Sequence, residues 1–310
     1  MNLPLFTLFT LPDHPQLWRA LRAAGPATAW RLMSELAAID LPLYEAVNEP
    51  TQRAAHFARC ARDFMLQAPD AAMRADGASQ RFATYGPRLQ LETSYLTLWL
   101  ADPQTLFREV VEVEGAEHLQ EQLDKGRGVV VLPLHFGPSY AIPPLLGHFV
   151  STRFAFNRMN FDALKALAFP ALDVGAFDVN DDATFLRGFR ALRENKAFAL
   201  FPELDPRGQE RNHVRVPFLG TSVLAPSGPV ALARRAGAPL LPVVLDSRGD
   251  GRFILRFLEA IDPPVTPFDD EAILRRLWVT IGDVAKAGRL GDWEMWLEFD
   301  LMRPEPEQMA

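Results

Sequence analysis

Residues 128–140 read GVVVLPLHFGPSY. Val129 to Leu134 contain no polar side chain, and His135 ends the run. A strand with one wet face alternates apolar and polar residues. A run that is apolar throughout predicts a strand covered on both faces, as in a parallel sheet packed between helices. Two further runs have this character, AFALF at 197–201 and LLPVVL at 240–245. Gly137 and Pro138 close the first run, which places His135 at the carboxyl end of its strand.

Outward from this run the chain alternates. Strand patterns at STRFAFN (151–157), LDVGAFDV (172–179), KAFALFPE (196–203) and GRFILRFLE (251–259) are interleaved with helical ones at FDALKALAF (161–169), DATFLRGFRALREN (182–195) and APSGPVALARRAG (225–237). Strands separated by helices of this length predict βαβ units. The expected fold is α/β, a central mostly parallel sheet flanked by helices. Residues 1–104 read differently. Apolar residues at spacings of three and four recur in HPQLWRALRAAG, ATAWRLMSELAAI and TQRAAHFARCARDFMLQ, with breaks at Gly25-Pro26 and Glu49-Pro50. This predicts a helical N-terminal layer on an α/β core over 105–300. With no repeat and no low-complexity linker, the 310 residues read as a single domain.

Composition removes several functions. A net charge of −7 argues against a nucleic-acid partner. The single cysteine, Cys60, lies in a helical pattern and is expected to pack as a small apolar residue. The six histidines show no metal-ligand spacing, so no metal is expected. No G-x-G-x-x-G, P-loop or G-x-S-x-G elbow is present. No window is apolar for the roughly 20 residues a spanning helix needs, so a cytoplasmic protein is expected, with peripheral contact at the inner membrane compatible. Abundant Ala, Arg and Pro suit a GC-rich bacterial genome.

In open α/β sheets ligands bind beyond the carboxyl ends of the strands. His135 falls at one such end, and Glu203 and Asp205 in FPELDPRG (201–208) fall at another. A helix started by Pro138 would set its N–H groups beside His135, where they favour a developing oxyanion.

The segment VEVEGAEHLQEQLDKGRGVVVLPLHFG (111–137) resembles the active-site entry of the bacterial lipid A biosynthesis lauroyl/myristoyl acyltransferase family, within the lysophospholipid acyltransferase-like superfamily. LFPELDPRG (200–208), VRVPFLG (214–220), GAPLLPVV (237–244) and DWEMWLEF (292–299) resemble the family's later motifs, in order. The resemblance implies transfer of an acyl group from an acyl-carrier-protein or coenzyme A thioester to a hydroxyl or amine, with no cofactor besides the thioester's phosphopantetheine. It makes His135 the general base, a role suited to an imidazole that is neutral at cellular pH. In the family an acid five positions after the histidine orients the ring. That position here is Tyr140.

Three readings of this departure stay open. Glu203 reaches across from its own strand end and takes the acid's place. Or Ser139, activated by His135, is a nucleophile in a thioesterase-like hydrolase. Or the protein binds acyl chains without turning them over. Gly137, Arg158, Asn160, Asp205 and Arg207 are candidate substrate-binding residues. Arg207, Arg211, His213 and Arg215 make a basic group suited to phosphates, whether of phosphopantetheine, coenzyme A, an acidic carrier protein or a lipid headgroup, against the commoner role of a solvated loop. Trp293 and Trp296 are candidates for an acyl groove, against the commoner role of core residues. A specialised biosynthetic pathway fits a member lacking the motif acid.

Overall fold

A computed structural model describes residues 14–48, 50–61, 71–156, 161–205 and 212–303. Its strands are β1 (Val111–Glu114), β2 (Val129–Pro133), β3 (Thr152–Phe156), β4 (Val174–Asp178), β5 (Ala197–Ala199), β6 (His213–Phe218), β7 (Thr221–Pro226), β8 (Leu240–Ser247) and β9 (Phe253–Phe257). Seven form one sheet in the order β1-β9-β8-β2-β5-β3-β4, and β6 and β7 make a separate antiparallel ribbon. Every neighbouring pair in the large sheet is parallel except β8 with β9. The sheet is therefore mostly parallel, as the uninterrupted apolar runs predict.

Those runs become the three central strands. Val129 and Val131 pack into the core on one face of β2, and Val130 and Leu132 into the core on the other. The short helix Ile142–Leu146, which follows β2, covers the first face, while the helix Gly228–Ala236, which leads into β8, covers the second. From β2 the chain moves outward past β5 to β3. From β5 it returns to β8 on the other side of β2. The connections thus diverge at β2 and β5, and the crevice beyond their carboxyl ends is where such sheets take ligands.

The N-terminal part is helical, with helices Pro15–Ala23, Pro26–Asn48, Pro50–Cys60, Ala71–Ala83 and Tyr85–Trp99. Proline opens three of them, where its fixed φ suits a first turn and its missing N–H costs nothing. Trp18, Met33, Tyr95 and Trp99 join the core beneath Val129 and Val131. Phe57 and Phe82 pack on the opposite side, near Trp296. Cys60 is buried there, and burial, with Asp300 adding to it, raises its thiol pKa. No described helix is long and apolar enough to cross a membrane.

Candidate active site

β2 and β5 are adjacent and parallel, so residues just beyond them lie side by side. Pairing continues past the ends, with Leu200 N donating to Val131 O and Leu134 N to Val243 O. His135 and Glu203 come next. His135 Nδ1 lies 2.9 Å from Glu203 Oε2, and the His135 backbone N–H donates to Glu203 Oε1 at 2.8 Å. Trp293 Nε1 donates to the same Oε1 at 3.4 Å. Glu203 has no solvent exposure, so its carboxylate takes from protein donors what water would otherwise supply.

The pairing fixes the imidazole tautomer. A carboxylate beside Nδ1 requires Nδ1 to carry the proton, which leaves Nε2 as a free acceptor. Nε2 makes no hydrogen bond among the described residues, and the ring lines a cavity of about 470 Å³. Phe201 stacks on the ring at 4.0 Å between centroids. Burial alone lowers the His135 pKa. The charge and hydrogen bond of Glu203, with the charge of Glu294, outweigh it and hold the pKa above its ordinary value.

The cavity is mainly apolar, its wall formed by Phe156, Phe185, Phe198, Phe201 and Leu200 among others. It is built from the ends of β2, β3 and β5 and from the start of the Gly228–Ala236 helix. Asp205 borders it, as His135 does.

Tyr140 does not bond His135. Its ring meets the imidazole edge-on at 6.0 Å, and its hydroxyl donates to Glu294 Oε1 at 3.0 Å. Tyr85, from the N-terminal layer, sets its hydroxyl 3.4 Å from Glu294 Oε2 and 3.2 Å from Gly137 O. Burial and the charge of Glu294 raise both phenols well above their ordinary pKa, so both are neutral donors. Burial also raises the Glu294 carboxyl, an effect moderated by His135 and by the two tyrosine hydrogen bonds. Glu294 and Tyr85 went unread in the sequence. A lone carboxylate between Trp293 and Trp296 was a signal for the first, but nothing local marked the second.

The segment bearing Glu294 is tied down on both sides. Glu294 N donates to His135 O at 2.9 Å, and Asp292 O accepts from Gly137 N at 3.2 Å. The Asp292 carboxylate pairs with Arg81 Nε at 2.6 Å and Arg88 Nη1 at 2.5 Å. The N-terminal helices thereby hold the acid in the cavity.

Several expectations are corrected. Ser139 is fully buried, does not line the cavity and has an unpartnered hydroxyl, so it cannot reach an acyl carbon there. No α-helix starts at Pro138. Residues Ser139–Ala141 form a 3₁₀ turn, and the α-helix begins at Ile142. Gly137 does not border the cavity. It adopts φ of +60°, where a Cβ would lie 2.7 Å from Leu245 O, and its N–H is taken by Asp292 O. It therefore turns the chain rather than touching substrate. Trp293 and Trp296 are core, packed with Phe218, Trp278 and Phe299. Arg158, Asn160, Arg207 and Arg211 lie outside the described residues. His213 and Arg215 lie on β6.

A model of the bacterial lipid A biosynthesis acyltransferase family matches residues 63–288. Among solved structures, the chain is similar to the 1-acyl-sn-glycerophosphate acyltransferase PlsC from Thermotoga maritima, at 15% identity and a TM-score of 0.36 over 77% of this chain and 98% of that one. No curated protein matches.

Proposed function

Since the chain belongs to the bacterial lipid A biosynthesis acyltransferase family, we propose that it transfers an acyl group from a carrier-protein or coenzyme A thioester to a hydroxyl or amine acceptor, with His135 as general base. The observation that carries this reading is the His135–Glu203 pair, whose imidazole lines a mainly apolar cavity. The acyl chain occupies the apolar part, and its thioester carbonyl lies near Nε2. The acceptor attacks that carbonyl while its proton passes to Nε2, and Glu203 stabilises the resulting imidazolium. Collapse of the tetrahedral intermediate breaks the C–S bond. His135 then returns the proton to the departing thiolate, giving an ester or amide and a free thiol. The thioester is already activated, so the reaction needs no further cofactor.

Glu203 does the work of the missing motif acid, and this favours an active enzyme over a passive acyl binder. We place the protein in the cytoplasm or against the membrane surface, in a specialised pathway supplied by an acyl carrier protein. The test is thiol release from long-chain acyl-coenzyme A and acyl-carrier-protein substrates over a panel of alcohol and amine acceptors. His135→Ala should lower acceptor-dependent release by about 10²–10⁴, the usual contribution of a positioned base. Equal release by the variant and the wild-type protein would overturn the reading.

A further inference from the structure

The base and its orienting acid leave a third group in the cavity unexplained. We propose that Glu294, with the aromatic rings beside it, forms an ammonium subsite, so that the acceptor is a primary amine rather than an alcohol. This deepens the acyl-transfer reading above and rests on it.

Four observations support the subsite. First, Glu294 borders the cavity, and both of its hydrogen-bonding partners are neutral phenols. Second, the described cavity wall includes the carboxylates of Asp205, Glu294 and Glu298 and no lysine or arginine. Third, His135 is only 6% exposed, yet it lines this cavity, and its Nε2 has no hydrogen-bond partner among the described residues. A group must enter to use it. Fourth, Tyr140 stands 5.7 Å from Phe156 and 5.6 Å from Phe201, ring to ring, and all three border the cavity. Aromatic faces beside a carboxylate are the chemistry that recognises an alkylammonium.

Counting donors separates the two acceptor classes. An alcohol has one O–H, which the base takes, leaving Glu294 without a substrate donor. A neutral amine has two N–H groups and a lone pair. One N–H can face His135 Nε2 and the other Glu294, while the lone pair attacks. The amine enters as R–NH₃⁺ and loses one proton to solvent by way of Glu294. The neutral nitrogen forms a C–N bond to the thioester carbonyl, and its second proton passes to His135. The C–S bond breaks, and His135 protonates the thiolate. The products are an amide, a thiol and one proton released to solvent.

The probes are dodecylamine, dodecanol and dodecanoate, three amphiphiles with one tail and different heads, titrated below their micellar concentrations at about pH 7.5. The wild-type chain should bind dodecylamine about tenfold or more tightly than either of the others, the usual worth of a charge-assisted contact. Glu294→Gln should erase that preference, bringing dodecylamine binding down to the level of dodecanol. Equal binding of the three heads, or a preference that survives in Glu294→Gln, would overturn the subsite. Turnover of dodecanoyl-coenzyme A with 3-aminopropane-1,2-diol and with glycerol separates this inference from the one beneath it. Amide as the main product supports the amine acceptor. Ester as the main product sinks the amine acceptor but keeps acyl transfer. No thiol release with either acceptor counts against acyl transfer itself, while the binding series still decides the subsite.

Discussion

Replacing Glu203 with glutamine tests the reasoning most directly, because it keeps the shape and removes one charge. In the wild-type chain one oxygen accepts from His135 Nδ1, and the other from the His135 N–H and Trp293 Nε1. An amide has only one acceptor atom. If its NH₂ faces Nδ1, the imidazole must accept there and carry its proton on Nε2, and the base is lost. If its NH₂ faces the other way, it meets two donors. Either orientation fails. In comparable triads the loss of this charge and tautomer costs about 10⁴ in rate, roughly 5.5 kcal/mol of transition-state stabilisation. The assay is kcat/KM for thiol release, with ¹⁵N shifts of His135 as a readout of tautomer that needs no acceptor. The pH profile gives a second readout. The His135 pKa lies above its ordinary value, so activity should rise with pH along an acid limb displaced upward. Removing the Glu203 charge leaves burial, the largest effect and a lowering one, opposed by the charge of Glu294, so residual activity in Glu203→Gln should show that limb at lower pH. Linkage fixes the sign for stability. A raised histidine pKa adds stability at pH values below the unfolded pKa, and that stability is lost as pH rises through the folded pKa. Glu203→Gln should therefore destabilise the fold more at about pH 6 than at about pH 9. Turnover within tenfold of wild type, with the Nδ1–H tautomer retained, would refute the role given to Glu203.

Tyr140→Phe removes the hydrogen bond to Glu294 but leaves the ring beside His135, so kcat should fall only about tenfold, the low end of the scale for one hydrogen bond to a charged group. A loss matching that of His135→Ala would instead give Tyr140 a direct part in proton transfer. Glu92, nearly fully buried and bonded by Ser247 Oγ at 2.5 Å, has its pKa raised to about 6, chiefly by burial. A raised carboxyl pKa means the folded state resists ionisation. Glu92→Gln should therefore raise stability above about pH 6 by up to about 2 kcal/mol, and the gain should vanish below about pH 4. Urea midpoints at the two pH values check this, and an equal change at both would refute it.

The legible parts of the fold were those whose burial is written in local sequence. β2, β5 and the 240–245 run of β8 are apolar throughout because both of their faces are covered, and no context is needed to read that. β1 escaped notice because VEVE is a four-residue edge strand with only its first residue buried. The β6–β7 ribbon passed as a motif rather than a hairpin, since its Leu219-Gly220 turn lacks the usual Asn-Gly or Asp-Gly signal. His135 and Glu203 were both visible as polar residues ending apolar runs. Their contact was one of three open readings and could not be chosen from sequence, because it depends on β2 and β5 being neighbours, and strand order is a property of the sheet. Tyr85 reaches the site from fifty residues before His135, and no local pattern carries that information.

On the proposed reading, the position of the acid also accounts for a tyrosine at 140. An acid one helical turn after the histidine would be positioned by the chain between them, which here is a 3₁₀ turn after a glycine of positive φ. Glu203 instead stands at the end of the adjoining strand, and neighbouring parallel strands run only about 5 Å apart. A side chain of its length spans that gap without a helix to present it. It also bonds the His135 backbone N–H and the Trp293 ring, so its carboxylate is fixed by three donors before any substrate arrives. Prior fixing matters because an orienting group contributes most when it need not reorganise as charge develops. With the ring held from this side, residue 140 has no need to be an acid. Its hydroxyl is free to hold Glu294, whose segment the arginines of the N-terminal layer anchor through Asp292. A carboxylate at position 140 would stand against Glu294 with no cation bonded between them, and mutual repulsion would drive one of the two acids to protonate. Tyrosine at 140 and glutamate at 294 therefore belong together, and restoring an acid at 140 in this chain should weaken the site rather than repair it.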